Sequence, residues 1–441
     1  MKIALIAPSG AGKTAYLTGL YGVLTQDLSH SRYGIDTTVT DTLLDSFLSE
    51  RFDNLTDGKF GEGTKGITPY PFLLRTDIMN QAHELPVEII DFKGSNLHKA
   101  DEGALEEKEE TIEQLSECDG FIVLLDGDTF IQSAAKQNAR GLQNLTRAHA
   151  INEVLTTALE RRKARPESHL TSADEYAFGH GKTPIVFALT KGDMVAEWLN
   201  TENADKKISK TLKQLFEQRA ESGVVYDPSE GPIANFIRSQ FPRIMDDPDV
   251  TTLRMAVSTY DSKQGYFEPL NLEYAFQFVL FAGLINAQEE YQERMAAWGT
   301  EADSESRRAR DYAAERSKQQ HRLEVYRRGD IFERFIDTVF GVKGGIINAY
   351  NEANESYDRA LSSEQFSSSQ RQASRDHQTD IDIFRRMILS DAFVHRLSLP
   401  HEQSHLYVQG LPLDDLKEEY WWQRKAVCGK KILDQREGPV I

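Results

Sequence analysis

Residues 3–24 read IALIAPSGAGKTAYLTGLYGVL, which is an apolar run, a glycine-rich turn and a second apolar segment. The run from Ile3 to Ala7 is continuously apolar and Pro8 stops it, so it predicts a short buried strand rather than a helix. Beyond the turn, leucines and tyrosines recur at helical spacing, which predicts a helix with one face on a sheet. The chain is therefore expected to begin with a strand, a glycine-rich loop and a helix.

The glycine-rich loop has the composition of a phosphate-binding loop. Gly10 and Gly12 allow the backbone to curl so that successive N–H groups point at a phosphate, next to the positive end of the helix dipole. Lys13 is predicted to bridge β- and γ-phosphate oxygens, and the Thr14 hydroxyl to bind Mg²⁺. The strict pattern has glycine where this chain has Ala7. The loop residues expected to contact a nucleotide are Ser9, Gly10, Ala11, Gly12, Lys13, Thr14 and Ala15.

Length and charge limit the kinds of protein that this chain can be. Its 441 residues, of which 39% are hydrophobic, are enough for one large domain and a second unit. The formal net charge of −18 argues against a nucleic-acid partner and against constitutive contact with an anionic membrane.

Cysteine usage and the N-terminus favour a cytoplasmic protein. Cys118 and Cys428 are far apart and fit no zinc-binding spacing, which is typical of a reducing compartment. Met1 leads directly into the predicted strand without a basic leader, so secretion is not expected. The longest apolar stretch, Tyr274–Ile285, is too short to cross a bilayer and predicts a buried helix.

Further apolar runs alternate with helical patterns up to about residue 295. This alternation predicts an α/β fold, in which a mostly parallel sheet carries helices on both faces. A long polar insertion precedes the second strand; it contains a predicted helix at Thr42–Arg51 and a glycine-rich stretch, Asp57–Thr68, that is expected to be mobile. The later strands are predicted at Tyr70–Arg75, Val87–Phe92 and within GFIVLLDG (120–127), TPIVFALTKGD (183–193) and TLRMAVST (252–259).

The composition changes after residue 295. Residues 1–295 are therefore predicted to form one domain, and residues 296–441 a smaller α-helical C-terminal region. Ser304–Arg328 is charge-dense and predicts a solvated or partner-facing helix. Residues 331–339 place apolar side chains on one helical face, which is expected to be core, with docking on a membrane or partner as the alternative. The serine-rich stretch 361–374 predicts a linker or an exposed helix end.

The segment VEIIDFKG (87–94) carries a second candidate motif. Asp91 ends a predicted strand and Gly94 follows three residues later. In this arrangement the aspartate is expected to hold the Mg²⁺ shell through water, while the glycine N–H contacts the γ-phosphate. An Asp-x-x-Gly pattern is weak alone, so the assignment depends on the strand and on the upstream loop.

The segment TKGD (190–193) indicates which base is bound. Asp193 can accept hydrogen bonds from the N1–H and N2–H₂ edge of guanine, whereas adenine offers no such pair of donors. The Lys191 stem is expected to lie along the face of the base. Thr190 stands where asparagine is commoner and is expected to hold the loops together through its hydroxyl. In AVSTYDS (256–262), backbone N–H groups of Ser258 and Thr259 are expected to face guanine O6.

With APSGAGKT, DFKG, TKGD and ST in this order, residues 1–290 resemble the Ras-like, translation-factor-related (TRAFAC) class of P-loop GTPases. The long insertion and the wording IAPSGAGKTAYLTGLY resemble bacterial double-GTPase-type proteins encoded in conflict or defence operons. The resemblance implies binding of GTP or GDP with Mg²⁺, hydrolysis of GTP, and loops that order around the γ-phosphate. It assigns catalytic roles to Lys13, Thr64 and Gly94 and metal contacts to Thr14, Thr64 and Asp91.

The switch threonine of this family precedes the second strand. Thr64 and Thr68 both qualify, and Thr64 is preferred because it lies in the glycine-rich stretch. Ser95 follows Gly94 where many family members carry a water-orienting glutamine, and Gly10 stands where potassium-activated relatives carry asparagine. Hydrolysis is therefore expected to be slow, unless a partner, a dimer or a residue such as His98 positions the water or an arginine finger is supplied.

The sequence leaves several functions open. The first is a GTP-hydrolysing switch that signals to a protein partner, or within a homo- or hetero-oligomer, through its helical C-terminal region. The second is a nucleotide-dependent scaffold, or pseudo-GTPase, with negligible turnover. A membrane-associated GTPase is a third, and a small-molecule kinase is disfavoured because such an enzyme has no use for TKGD.

Overall fold

A computed structural model describes residues 1–8, 10–25, 35–59, 68–78, 81–92, 102–138, 142, 148–164, 181–218, 226–227, 230–261, 265–328, 342–388 and 407–409. The strands in these ranges are β1 (Lys2–Ile6), β2 (Asp36–Val39), β3 (Thr68–Ile78), β4 (Gln81–Asp91), β5 (Gly120–Leu125), β6 (Thr183–Leu189), β7 (Val250–Ala256), β8 (Ser258–Asp261), β9 (Tyr266–Leu270) and β10 (Tyr407–Gln409). The helices are α1 (Lys13–Thr25), α2 (Thr42–Thr56), α3 (Glu102–Ser116), α4 (Gly127–Ala135), α5 (Ala148–Ala164), α6 (Gly192–Leu199), α7 (Ala204–Gln218), α8 (Gly231–Gln240), α9 (Pro242–Met245), α10 (Leu272–Arg328) and α11 (Val342–Ile388).

The main sheet of the described residues has eight strands in the order β10-β7-β6-β5-β1-β4-β3-β2. The central strands β4, β1, β5, β6 and β7 are parallel to one another. The β2–β3–β4 edge and the β10–β7 pair are antiparallel, and β8 pairs with β9 in a separate ribbon. The predicted α/β fold with a mostly parallel sheet is confirmed, as is the helical region that follows it.

Both faces of the central strands are buried. Ile3, Ala4, Leu5 and Ile6 of β1 are each at most 1% exposed, although successive side chains of a strand point to opposite faces. This is the pattern of a parallel sheet with helices on each side, and it explains why the strands read as continuous apolar runs.

Different helices cover the two faces. On one face, Val123 and Phe187 share an apolar core with Leu115 of α3, Leu155 of α5 and Phe236 of α8. On the other face, Val279 of α10 lies against Gly120, so close that a Cβ there would come within 2.4 Å of it. The Tyr16 hydroxyl of α1 donates to the Leu272 carbonyl oxygen at 3.3 Å, which joins α1 to the start of α10.

The chain forms two compact units. One comprises Met1–Glu167, Phe178–Ala287 and Asp380–Ile441, and the other Ser168–Ala177 and Gln288–Thr379. The helix α10 runs through residue 295 without a break, so the predicted domain bound there does not coincide with the end of a helix.

The second unit contains long stretches of α10 and α11. A Cβ on Gly299 would lie 3.2 Å from the Arg371 Cζ, and the Arg316 guanidinium lies 5.3 Å from the centre of the Tyr357 ring. These two contacts pair earlier residues of α10 with later residues of α11, so the helices run antiparallel. Within this unit most of the described buried residues are small: Ala302, Ala309, Ala353, Ala360, Ser367 and Ser374 are all at most 7% exposed, as is the larger Gln319.

The serine-rich stretch 361–374 is a correction to the sequence analysis. It is neither a linker nor a helix end, because it lies inside α11. Buried small residues recur every seven positions, at 353, 360, 367 and 374, so the serines form part of a helical contact face.

Other predicted elements have mixed outcomes. The helix predicted at 42–51 is present and extends to Thr56, and Tyr274–Ile285 lies within α10. Within the described ranges, no helix has the length and apolar character needed to cross a bilayer. Most of the stretch 57–68 and all of 331–339 lie outside the described residues.

Candidate functional site

The turn after β1 is built by two glycines in the left-handed region. Gly10 has φ +86° and Gly12 has φ +80°, where residues with a Cβ are strained. The Ala11 N–H donates to the Pro8 carbonyl oxygen at 3.2 Å, and the Tyr16 N–H donates to the Gly12 carbonyl oxygen at 2.9 Å. The turn therefore leads directly into the N-terminus of α1, where the first N–H groups have no partner within the helix.

Lys13 and Asp91 form a buried ion pair beside this turn. The Lys13 Nζ lies 2.6 Å from the Asp91 Oδ1 and also donates to the Phe92 carbonyl oxygen. The Lys13 side chain is 11% exposed and that of Asp91 is 0% exposed. Neither Asp91 carboxylate oxygen accepts a hydrogen bond of normal geometry from the described residues, so the ammonium of Lys13 is the charge that compensates it there.

Two predicted site threonines can be located near this ion pair. Thr14 follows Lys13 in the first turn of α1 and is half-buried. Thr68 opens β3 and is paired directly with Asp91 in the antiparallel β3–β4 ladder. Directly paired residues lie on the same face of the sheet, so Thr68 and Asp91 share a face. The preferred switch residue, Thr64, lies outside the described residues.

Thr190 lies against the glycine turn. A Cβ on Gly12 would be 3.8 Å from the Thr190 Cβ and 3.9 Å from its Oγ1. The Thr190 N–H and hydroxyl both donate to the Leu125 carbonyl oxygen, at 2.8 and 3.2 Å. Thr190 therefore connects the loop after β1 to the end of β5, and its hydroxyl makes a contact between loops of the kind that the sequence predicts.

Lys191 is paired with an aspartate that the sequence analysis did not select. Its backbone is left-handed, with φ +54° and ψ +44°, and its Nζ lies 2.8 Å from the Asp126 Oδ1. The Asp126 Oδ2 accepts a 2.7 Å hydrogen bond from the Thr129 hydroxyl. Burial raises the pKa of Asp126, but hydrogen bonds from Lys191 and Thr129 outweigh burial and hold this pKa below its usual range.

Asp193 is held by the segment that follows β7. The Ser258 hydroxyl donates to the Asp193 Oδ1 at 2.9 Å, and the Gly192 N–H donates to the Val257 carbonyl oxygen at 2.8 Å. A Cβ on Gly192 would come within 2.9 Å of the Val257 nitrogen, so glycine permits this close approach. The two segments that were predicted to bind the base are therefore in direct contact.

The predicted residues converge because they follow parallel strands. The glycine turn follows β1, and Asp91 is the last residue of β4. Asp126 follows β5, and Thr190 follows β6. Ser258 is the first residue of β8, and one residue, Val257, separates it from β7. The carboxyl ends of parallel strands meet at one edge of a sheet, which is where open α/β sheets bind ligands.

Some predicted residues are placed differently or are not described. The Thr259 side chain packs on α1, since a Cβ on Gly19 would lie 2.7 Å from the Thr259 Cγ2; the predicted role concerns the Thr259 backbone N–H and stays a prediction. Ala15 is half-buried in the first turn of α1. Four further residues named from the sequence, Ser9, Gly94, Ser95 and His98, lie outside the described residues, like Thr64.

Sequence reasoning missed Asp126. The signal that could have found it is its position, since it is a lone carboxylate directly after the buried strand GFIVLL (120–125). In the described part of the chain, no three His, Cys, Asp or Glu side chains form a group that could hold a metal ion. The chain matches no protein-family model and no curated protein sequence.

Proposed function

We propose that this protein binds a guanine nucleotide with Mg²⁺ and hydrolyses GTP, as a member of the Ras-like, translation-factor-related class of P-loop GTPases. The observation that carries the proposal is the proximity of Gly12 and Thr190, since a Cβ on Gly12 would lie 3.8 Å from the Thr190 Cβ. It brings the loop with phosphate-binding character next to the loop with guanine-binding character, so that one nucleotide can reach both.

The phosphate end of the site has the charges that a polyphosphate requires. The first backbone N–H groups of α1 have no partner within the helix, and Lys13, the first residue of this helix, adds an ammonium that pairs with Asp91. In the nucleotide-bound protein, β- and γ-phosphate oxygens compete with Asp91 for the Lys13 ammonium. This exchange couples phosphate binding to the end of β4, and Gly94 lies three residues further along the chain.

The residues around Asp91 fit a magnesium ion. Asp91 is completely buried, and its carboxylate oxygens lack hydrogen-bond donors of normal geometry among the described residues. Mg²⁺ prefers carboxylate, hydroxyl, phosphate and water oxygens. Thr14 and Asp91 would hold the ion, with either Thr64 or Thr68, the first residue of β3, as the switch threonine. When bound, Mg²⁺ supplies positive charge to the β- and γ-phosphate oxygens.

The base end of the site favours guanine. Asp193 is fixed by Ser258 and can accept hydrogen bonds from guanine N1–H and N2–H₂. Adenine presents no donor at the equivalent N1 position, so it would leave this carboxylate without a match. The Lys191 stem, whose ammonium is tied to Asp126, supplies an apolar surface for the ring.

Hydrolysis transfers the γ-phosphoryl group to water and yields GDP and inorganic phosphate. Lys13 would stabilise the charge on the transferring group. Ser95 lacks the amide with which glutamine orients the attacking water. This sequence feature favours slow hydrolysis, stimulated by a protein partner, and keeps a nucleotide-dependent scaffold as the second candidate function.

We further propose a cytoplasmic protein that signals its nucleotide state to a protein partner through the helical region. The charge-dense part of α10, with many exposed side chains between residues 301 and 321, supports this role. A defence-related role and assembly with itself or another chain are extensions of the same proposal.

Two measurements test the proposal. Chromatography of nucleotides released from the purified protein is expected to yield GDP or GTP and no ADP or ATP. Single-turnover hydrolysis of bound GTP, with and without Mg²⁺, then separates the two candidates: a slow Mg²⁺-dependent rate that Thr14→Ala abolishes supports the GTPase, whereas no turnover supports the scaffold. Release of adenine nucleotides alone would contradict both.

A further inference from the structure

Asp126 lies at the junction of the two candidate loops. It follows β5, the strand between β1 and β6 in the sheet, and a Cβ on the next residue, Gly127, would come within 2.0 Å of the Thr190 carbonyl oxygen. The main chain around Asp126 is therefore packed directly against the TKGD segment, with no space for another residue between them.

Both oxygens of the Asp126 carboxylate have defined partners. Oδ2 accepts from the Thr129 hydroxyl at 2.7 Å, and Oδ1 lies 2.8 Å from the Lys191 Nζ. The Asp126 side chain is 22% exposed and that of Lys191 is 40% exposed. Thr129 thus holds the Asp126 carboxylate in place, and the carboxylate holds the Lys191 ammonium. Part of the Lys191 side chain remains exposed to solvent.

The backbone of Lys191 makes this restraint important. A left-handed conformation is uncommon for a residue with a Cβ and persists only where the surroundings enforce it. On one side, the close approach of Gly192 to Val257 holds the loop in this conformation. The ion pair with Asp126 enforces it on the other side.

We infer that Asp126 is a positioning residue for nucleotide binding, which holds the Lys191 ammonium so that the aliphatic stem lies across the purine ring. This inference rests on the proposed function. It assigns the carboxylate to retention of the base, while Asp193 determines which base is accepted. Loss of the carboxylate frees the Lys191 side chain and shortens the lifetime of the complex.

The test is the dissociation rate of a fluorescent GDP from the full-length protein. Asp126→Asn is expected to raise this rate about tenfold, because it removes one partner of a partly buried charge pair. Lys191→Met, which keeps an apolar stem but has no ammonium, is expected to raise it equally. The double variant is expected to dissociate no faster than either single variant, because both substitutions remove the same interaction.

Two controls separate positioning from a general structural role. Asp128→Asn makes the same change two residues away, where the carboxylate accepts from Gln132 at 2.9 Å, and should leave the rate unchanged. Binding of inorganic tripolyphosphate, which has no base, should be the same for Asp126→Asn as for the wild type. A general structural defect would weaken the binding of both GDP and tripolyphosphate.

The outcomes are distinguishable. If the wild type binds GDP and Asp126→Asn releases it at the wild-type rate, or if the two substitutions act additively, the inference is overturned and the proposed function stands. If the wild type binds no guanine nucleotide, both fail.

Discussion

The unit that contains the main sheet, called the sheet unit below, and the parts of α10 and α11 in the other unit, called the helix pair (residues 288–328 and 342–379), are stabilised by different kinds of core. In the sheet unit, large apolar side chains such as Phe121, Phe187 and Phe236 are fully buried. In the helix pair, most of the described buried residues are alanines and serines, together with Gln319. The hydroxyls of Ser367 and Ser374 have no partner among the described residues.

This difference in the size of the buried side chains indicates that the two regions have different roles. Large buried side chains make a rigid sheet, whose edge can hold a ligand in fixed geometry. Small side chains bury little apolar area per residue, so the helix pair gains less from packing. We therefore expect substitutions to be costly in the sheet unit and mild in the helix pair.

The largest expected effect is in the sheet core. Phe187 is 0% exposed, and its ring centre lies 4.5 Å from that of Phe241. Phe187→Ala should lower the free energy of unfolding by about 4 kcal/mol, because it removes a large buried ring and leaves a cavity. Phe366→Ala makes the same change at a side chain of α11 that is 55% exposed, and should cost less than about 0.5 kcal/mol. Urea unfolding followed by circular dichroism measures both, and equal losses would contradict the comparison.

A second test compares ion pairs. The Glu230 Oε2 lies 3.0 Å from the Arg254 Nη1 and 3.3 Å from the Arg238 Nη1. The Arg254 side chain is only 2% exposed. Glu230→Ala should cost about 3 kcal/mol because it removes a carboxylate that pairs with a nearly completely buried guanidinium. In the helix pair, Glu355 and Arg359 form an exposed pair, so Glu355→Ala should cost only about 0.3 kcal/mol. A similar cost for both in chemical denaturation would show that burial does not set their energies.

Replacement of a buried serine by alanine is expected to change the stability of the protein in opposite directions at two positions. The Ser239 hydroxyl donates to the Phe236 carbonyl oxygen, so Ser239→Ala should destabilise the protein by about 1 kcal/mol. Ser374→Ala removes a buried hydroxyl that has no partner in the described structure, so it should stabilise by about 1 kcal/mol. Thermal unfolding of the two variants reports the sign, and destabilisation by Ser374→Ala would refute the proposed difference.

The smallest effect is expected at the sheet edge and depends on pH. The pKa of Asp126 is lowered in the folded protein. Its stabilising contribution is therefore present above the unfolded-state pKa, which is about 3.9 for an aspartate. The contribution is lost as the pH falls through the lower folded-state pKa. Asp126→Asn should therefore cost up to about 1 kcal/mol at pH 7, and the difference from the wild type should shrink below about pH 4. Urea titrations at pH 7 and pH 3 measure it, and an unchanged difference would contradict this origin.

The sequence was most informative where both faces of a strand are buried. The runs in β1, β5 and β6 are continuously apolar, so their positions could be predicted to within a few residues. The strand β2 was missed because its four residues, DTTV, are mostly polar and only Thr37 and Val39 are buried. An alternation of buried and exposed residues over only four positions cannot be distinguished from the sequence of a loop.

The convergence of residues at one sheet edge was predictable where those residues form a motif. Lys13, Asp91, Thr190 and Asp193 could be selected because their order and spacing have a chemical reason, and the described fold brings them to one edge. Asp126 could not, because a single carboxylate has no pattern, and its importance comes from a partner 65 residues later.

The helix pair misled sequence reasoning for another reason. Serines at 367 and 374 suggested exposure, since serine usually lies on the surface. The seven-residue recurrence with Ala353 and Ala360 was the stronger signal, because it places all four positions on one helical face.

The central claim is that one nucleotide touches both Lys13 and Asp193. Calorimetric titration of GDP and ADP into the wild type, Lys13→Ala and Asp193→Ala tests it most directly. The account predicts one GDP bound per wild-type chain, no measurable ADP binding, and loss of at least about 100-fold in GDP affinity in each variant. Wild-type affinity for GDP in either variant would contradict it, because that residue would then lie outside the nucleotide site.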